Sequence, residues 1–177
     1  MKTLTEEYRE VLKKTHGRKE KSWGNTSNSK YFEKIVKWID ENNATEVLDY
    51  GAGWGGLKDR LGREKPEVKV HEFEPARDEV AHPPEPCDYV ICTDVFEHVE
   101  PEFIDNFFSE LERVTLKKGF FTVCMVPAIK VLSDGRNAHL TVQPFEWWLA
   151  KVRERFHVEL SHRDSKFADF YVRRKSG

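Results

Sequence analysis

Apolar positions along the chain change period several times, and each change predicts an element. Leu4, Tyr8, Val11 and Leu12 fall at helical spacing over residues 3 to 15, and a polar stretch rich in Lys, Ser and Asn follows over Gly17 to Asn28. Tyr31, Phe32, Ile35, Val36 and Ile39 mark an amphipathic helix that Asn42-Asn43 can end. Glu46 to Tyr50 reads as a strand running straight into Gly51-Ala52-Gly53-Trp54-Gly55-Gly56, with a short helical pattern from Leu57 to Leu61 behind it. Val68 to Phe73 is a second strand ended by Glu74-Pro75, and Ala76 to Pro86 is a proline-bearing loop. Tyr89 to Cys92 is a short buried strand. It opens at Thr93-Asp94 into a helical segment carrying Phe103, Phe107, Phe108, Leu111 and Val114, which Lys117-Lys118-Gly119 closes. Phe120 to Val126 is the longest apolar strand candidate. A loop over 128 to 143, with Asp134-Gly135 as its turn, leads to a helix on Phe145, Trp147, Trp148, Leu149 and Val152. Phe156 to Leu160 and Phe167 to Val172 predict a closing antiparallel hairpin. Strand and helix alternate from 45 to 155, so the fold class is α/β: a Rossmann-like, doubly wound, mainly parallel sheet with a C-terminal antiparallel hairpin.

Composition narrows the class. The 177 residues suit one domain, and 38% hydrophobic with 12% aromatic residues is enough to fold. Lys plus Arg number 29 against 31 Asp plus Glu, a net charge of -2, which lacks the basic excess of a dedicated nucleic-acid binder. Cys87, Cys92 and Cys124 form no CxxC pair, so the sequence suggests neither a disulfide framework nor a zinc module, and a reducing, cytoplasmic setting is expected. The charged start, MKTLTEEYREVLKK, has no apolar core of a signal peptide, and no stretch approaches the ~18 apolar residues of a membrane span.

In such sheets ligands sit at the carboxyl ends of the strands, where Asp49, Glu74, Asp94 and Pro127 fall. Gly51, Gly53 and Gly55 allow a sharp turn and close approach of a ligand to backbone. Glu74, ending the second strand, suits a carboxylate accepting hydrogen bonds from both ribose hydroxyls; the plainer alternative is a solvated strand-end acid. Gly51, Gly53 and Gly56 also satisfy GxGxxG, which keeps a nicotinamide-dinucleotide oxidoreductase open as a second function, and a noncatalytic cofactor-binding regulatory module as a third.

The ordered segments Val47-Leu48-Asp49-Tyr50-Gly51-Ala52-Gly53-Trp54-Gly55, Phe73-Glu74-Pro75 and Cys92-Thr93-Asp94-Val95-Phe96-Glu97-His98-Val99 resemble the class I S-adenosylmethionine-dependent methyltransferases. Phe120 to Pro127 resembles that family's fifth strand. Asp134-Gly135-Arg136-Asn137-Ala138-His139 with Pro144 to Trp148 resembles a small uncharacterised bacterial and phage-type subgroup. The resemblance spans roughly residues 30 to 173, leaving 1–29 as an N-terminal helix and lid-like loop and 30–177 as the methyltransferase domain. It implies that S-adenosylmethionine is the cofactor and S-adenosylhomocysteine the product. It places Asp49 at the methionine end, the turn Gly51, Ala52, Gly53 and Trp54 beside the cofactor, Glu74 on the ribose, and Asp94 at the methionine portion and the transferred methyl. A helix N-cap is the plainer role for Asp94. Only residues 75 to 87 separate Glu74 from Asp88, too few for the family's next helix and third strand, so that region is expected to be shortened and its adenine contact, with Asp78, Glu79 and Glu85 nearby, is unplaced.

Catalysis of methyl transfer needs positioning in a dry pocket, plus a base when the acceptor carries a proton. His139 is the candidate base and Arg136 the candidate anchor for an acceptor carboxylate or phosphate; a backbone-bonded loop histidine and a solvated arginine are the plainer roles. Asp94, Glu97 and His98 raise a metal at a spacing that is not diagnostic, and no metal is assigned. Trp147 and Trp148 read as core, with one ring available to the acceptor pocket, and Trp23 as a lid anchor. A small-molecule acceptor is expected, with nucleic-acid and protein acceptors left open.

Overall fold

The computed structural model describes residues 2–17 and 30–175. The polar stretch with Trp23, read as a loop and lid anchor, lies outside the described residues.

Eleven helices and strands build the described fold. They are α1 (Glu6–Gly17), α2 (Phe32–Glu41), β1 (Glu46–Tyr50), α3 (Gly56–Glu64), β2 (Lys69–Phe73), β3 (Cys87–Cys92), α4 (Ile104–Val114), β4 (Thr115–Cys124), α5 (Phe145–Arg155), β5 (Phe156–Arg163) and β6 (Phe167–Arg174). One sheet takes all six strands in the order β2-β1-β3-β4-β6-β5. β2, β1, β3 and β4 are parallel, whereas β6 runs antiparallel to both β4 and β5.

Alternation along the strands sends neighbouring residues to opposite layers. Leu48, Val90 and Phe121 pack with Phe107, Phe108 and Leu111 of α4 and Trp148 and Val152 of α5. Their neighbours Val47, Ile91 and Phe120 pack with Phe32, Ile35, Trp38 and Ile39 of α2 and Leu57 and Leu61 of α3. Burial of each such side chain stabilises the fold by about 1.5–3 kcal/mol. This is a doubly wound sheet. Among the described residues no helix is long and apolar enough to cross a membrane.

Two boundaries differ from the sequence pattern. Lys117-Lys118-Gly119 does not close a helix: α4 ends at Val114 and these residues lie inside β4, where Lys118 and Gly119 pair with Tyr89 and Val90 on one side and with Arg173 and Val172 on the other. Gly119 is there for space, since a Cβ would stand 2.3 Å from Phe121 Cζ and 3.0 Å from Val172 Cγ2. Nor does a helix open at Thr93-Asp94. Two 3-10 turns, Phe96–His98 and Pro101–Phe103, precede α4, because Asp94 adopts a left-handed φ of 52° and Pro101 can donate no backbone hydrogen bond. The shortened region has the predicted form: between β2 and β3 the chain makes one 3-10 turn, Asp78–Val80, and β2 is left as an edge strand.

Helix α1 docks against these connections. Tyr8 and Leu12 cluster with Ala76, Leu132 and Ala138. The Thr5 N–H and hydroxyl donate to Glu100 at 2.7 and 2.8 Å, and Arg9 Nε donates to the Pro75 carbonyl at 2.9 Å. Arg9 and Lys13 both pair with Asp78.

Candidate functional site

A cavity of about 590 Å³ opens at the carboxyl ends of β1, β2, β3 and β4. Its walls include Gly51, Gly53, Glu74, Asp94 and His139, five of the residues singled out in the sequence.

The glycine turn is tied to β2: the N–H groups of Gly51 and Ala52 both donate to the Phe73 carbonyl, at 2.8 and 3.0 Å. Gly51 has φ +83°, and a Cβ there would meet Val95 Cγ2 at 2.4 Å. The turn and the loop after β3 therefore touch through a position that has no room for a side chain. Glu74 is buried, with Oε2 accepting from the Gly53 N–H and Oε1 from the Ala76 N–H, each at 3.0 Å. A carboxylate has about four acceptor sites, so two lone pairs remain for a ligand. Burial raises its affinity for a proton despite those hydrogen bonds. Asp49 sits behind the turn, buried and off the cavity wall, and burial together with the nearby Glu72 and Glu74 carboxylates pushes it up to about 8.

A second acidic group stands across the cavity. The Asp94 N–H donates to Thr122 Oγ1 at 2.9 Å, and the Thr122 hydroxyl donates back to Oδ1 at 2.8 Å, which holds the left-handed backbone. Asp94 caps no helix. Glu97 is 1% exposed; its Oε1 accepts the Cys124 N–H at 2.9 Å, while Oε2 has no hydrogen-bond partner among the described residues. Burial raises the proton affinity of both acids, and the Asp94 charge adds to the effect on Glu97. Two imidazoles flank Glu97. His98 Nδ1 faces the Ala138 carbonyl at 2.7 Å, His139 Nδ1 faces the Val126 carbonyl, and the ring centroids are 5.0 Å apart.

The remaining sequence candidates lie elsewhere. Arg136 is off the cavity wall: its Nε and Nη2 hold Asp134 at 2.8 and 2.7 Å, Nη1 lies 3.7 Å from Glu100, and the guanidinium stacks over Tyr8. Ala52 is buried in the turn and Trp54 is 41% exposed, neither on the wall. Trp148 is fully buried beside Phe96, Trp147 packs edge-on against it, and neither ring lines the cavity. Conversely, Leu4 just before α1, Tyr8 and Leu12 of α1, Lys130 of the loop after β4, and Lys166 and Phe167 at the β5–β6 turn are wall residues that the sequence did not assign to the site. The helical period of α1 was visible, but nothing in it says where the helix docks.

No protein-family model and no curated protein matches the chain. Solved structures do. The Burkholderia thailandensis 1,6-didemethyltoxoflavin-N1-methyltransferase, crystallised with S-adenosylhomocysteine, superposes with a TM-score of 0.70 at 12% identity, over 96% of this chain and 90% of that one. The N-methyltransferase NodS from Bradyrhizobium japonicum gives 0.64 at 11% identity, over 94% and 100%. Magnesium protoporphyrin IX methyltransferase from Synechocystis gives 0.61 at 13% identity, over 96% and 95%. The likeness is one of architecture: the chain has the Rossmann-like fold of these methyltransferases.

Proposed function

We propose that the protein is an enzyme that binds S-adenosylmethionine in this cavity, transfers its methyl group to a small-molecule acceptor and releases S-adenosylhomocysteine. The observation that carries the reading is Glu74, fixed by two backbone N–H groups at the end of β2, beside the glycine turn and with acceptor capacity directed to the cavity. The fold and the cofactors crystallised in its structural neighbours support it. So does charge. Asp49, Glu74, Asp94 and Glu97 gather round the glycine turn and cavity. Each acid can ionise against an arriving sulfonium or ammonium cation, a pairing that the pyrophosphate of a nicotinamide dinucleotide cannot make.

Glu74 would hold the ribose, with the Gly51–Gly53 backbone beside it and Asp94 toward the methionine portion. Asp49, buried behind the turn with its carboxyl pushed up to about 8, would support the methionine end through the turn and ionise in the field of the bound ammonium. The sulfonium supplies an already activated methyl. The protein's own work is then to align the acceptor and exclude water, through Leu4, Tyr8, Val95 and Phe107. With Nδ1 donating to Val126, His139 presents Nε2 as the basic atom for an acceptor's proton. We keep α1 as part of a lid over the site, and the 134–139 loop as the mark of a small bacterial and phage-type subgroup.

Calorimetry with S-adenosylmethionine and S-adenosylhomocysteine, with NAD as competitor, tests the reading. Micromolar binding is expected, weakened roughly 10–100-fold in Glu74→Ala by loss of hydrogen bonds to a charged group. Preference for NAD, or no binding of either methyl-cycle ligand, overturns it.

A further inference from the structure

We propose that Glu97, His98 and His139 form a binding site for one divalent transition-metal cation on the acceptor wall of the cavity.

Three observations converge on it. The first is the orphaned oxygen: Glu97 is 1% exposed, its Oε1 is committed to the Cys124 N–H, and Oε2 has no hydrogen-bond partner among the described residues. A buried polar atom in that state is costly unless something absent from the protein answers it. The second is the orientation of the rings. Each Nδ1 faces a backbone carbonyl, Ala138 for His98 and Val126 for His139, which fixes the tautomer with its proton on Nδ1 and its lone pair on Nε2. A carbonyl behind an imidazole is the arrangement that orients metal-binding histidines and raises their basicity. The third is convergence: one donor atom from each of the three residues lies within 4.8 Å of the other two. Three donors at about 2.1 Å round one ion stand about 3.4–3.6 Å apart, so the side chains must draw inward by up to about 1.4 Å to close on a cation.

Distant segments are held together for this. Glu97 and His98 come from the 3-10 turn after β3, and His139 from the loop after β4. That loop is fastened to the turn by Thr141, whose N–H donates to the Glu97 carbonyl at 3.0 Å and whose hydroxyl donates to the Val99 carbonyl at 2.7 Å. Two imidazoles and one carboxylate suit zinc, manganese, iron or cobalt rather than magnesium or calcium, which prefer oxygen ligands throughout. Three protein ligands leave coordination positions open to the cavity.

What the cation does for the reaction rests on the methyltransferase reading; its binding does not. An acceptor hydroxyl coordinated there becomes more acidic and releases its proton to solvent. The oxygen lone pair then forms the bond to the methyl carbon, and the carbon–sulfur bond breaks with its electron pair going to sulfur. His139 would serve as a ligand, and lowering the acceptor's pKa would replace direct proton uptake by the ring.

The test is titration of the chelator-treated full chain with Co²⁺ and with Mn²⁺, by calorimetry and, for Co²⁺, by its visible ligand-field bands, without cofactor present. Wild type should bind one cation, and Glu97→Gln and His139→Gln should each bind at least about tenfold more weakly and lose the bands. Glutamine at 97 keeps the acceptor for the Cys124 N–H, and circular dichroism checks folding; should that variant unfold, His139→Gln alone decides. No binding by wild type up to roughly millimolar cation, or unchanged affinity in every folded variant, overturns the proposal. A parallel titration with S-adenosylmethionine separates the two ideas. Cation binding without cofactor binding leaves the metal site standing and removes the methyltransferase reading, and the reverse pattern does the opposite.

Discussion

A methyl group added at Gly51 would stand 2.4 Å from Val95 Cγ2, on backbone with φ +83°. Gly51→Ala should therefore lose about 2–4 kcal/mol in urea unfolding, part from the left-handed backbone and part from the clash. Adding Val95→Ala should restore the steric part and leave the backbone part. A second prediction concerns Asp49, whose carboxyl is pushed up to about 8. An acid with a raised pKa in the folded state keeps its proton while the unfolded chain has lost it. Its contribution is complete below about pH 4 and falls as pH rises toward 8, at a limiting slope of about 1.4 kcal/mol per pH unit. Thermal melts across that window should show stability declining with pH, and Asp49→Asn should flatten the decline. In wild type, cofactor binding near pH 7 should release a proton, seen as a buffer-dependent binding enthalpy. The residues that the sequence exposed most clearly, Asp49, Gly51, Gly53, Glu74 and Asp94, share one property: each lies within three positions of a strand's carboxyl end. His98 and His139 meet only because a loop folds back over 41 positions, and no spacing rule announces that.

Elements with a full apolar period were legible: α2, β1, α3 and the closing hairpin fall where the pattern placed them. Lys117-Lys118-Gly119 was not, because two lysines before a glycine carry the same letters as a helix end while serving a strand whose own Phe121, two positions on, folds its ring over the glycine. Gly119→Ala should cost about 1–3 kcal/mol by overpacking a fully buried phenylalanine, a loss that unfolding curves would register. Helix α1 makes the opposite case, since its period was plain and its berth was not. Arg9 joins it to the Pro75 carbonyl and to an exposed Asp78. Arg9→Ala should change global stability by less than about 1 kcal/mol, yet speed amide exchange in Glu6–Gly17 and weaken cofactor binding; unchanged exchange would detach α1 from the site.

At the scale of the molecule, the doubly wound sheet was readable from alternation because Val47 and Leu48, Val90 and Ile91, and Phe120 and Phe121 are apolar pairs that feed both layers. Even the shortened stretch between β2 and β3 was visible as a simple shortage of residues. Electrical behaviour was not. The formal charge of -2 treats every carboxylate as ionised, yet folding raises the proton affinity of Asp49, Glu74, Asp94 and Glu97 together. Asp49, pushed up to about 8, keeps its proton at neutral pH, so the native protein should focus at a higher isoelectric point than its formal charge implies. A singly cationic ligand that enters and expels that proton would leave its mobility almost unchanged, so an electrophoretic shift assay would miss a binding event that a pH electrode in weakly buffered solution records.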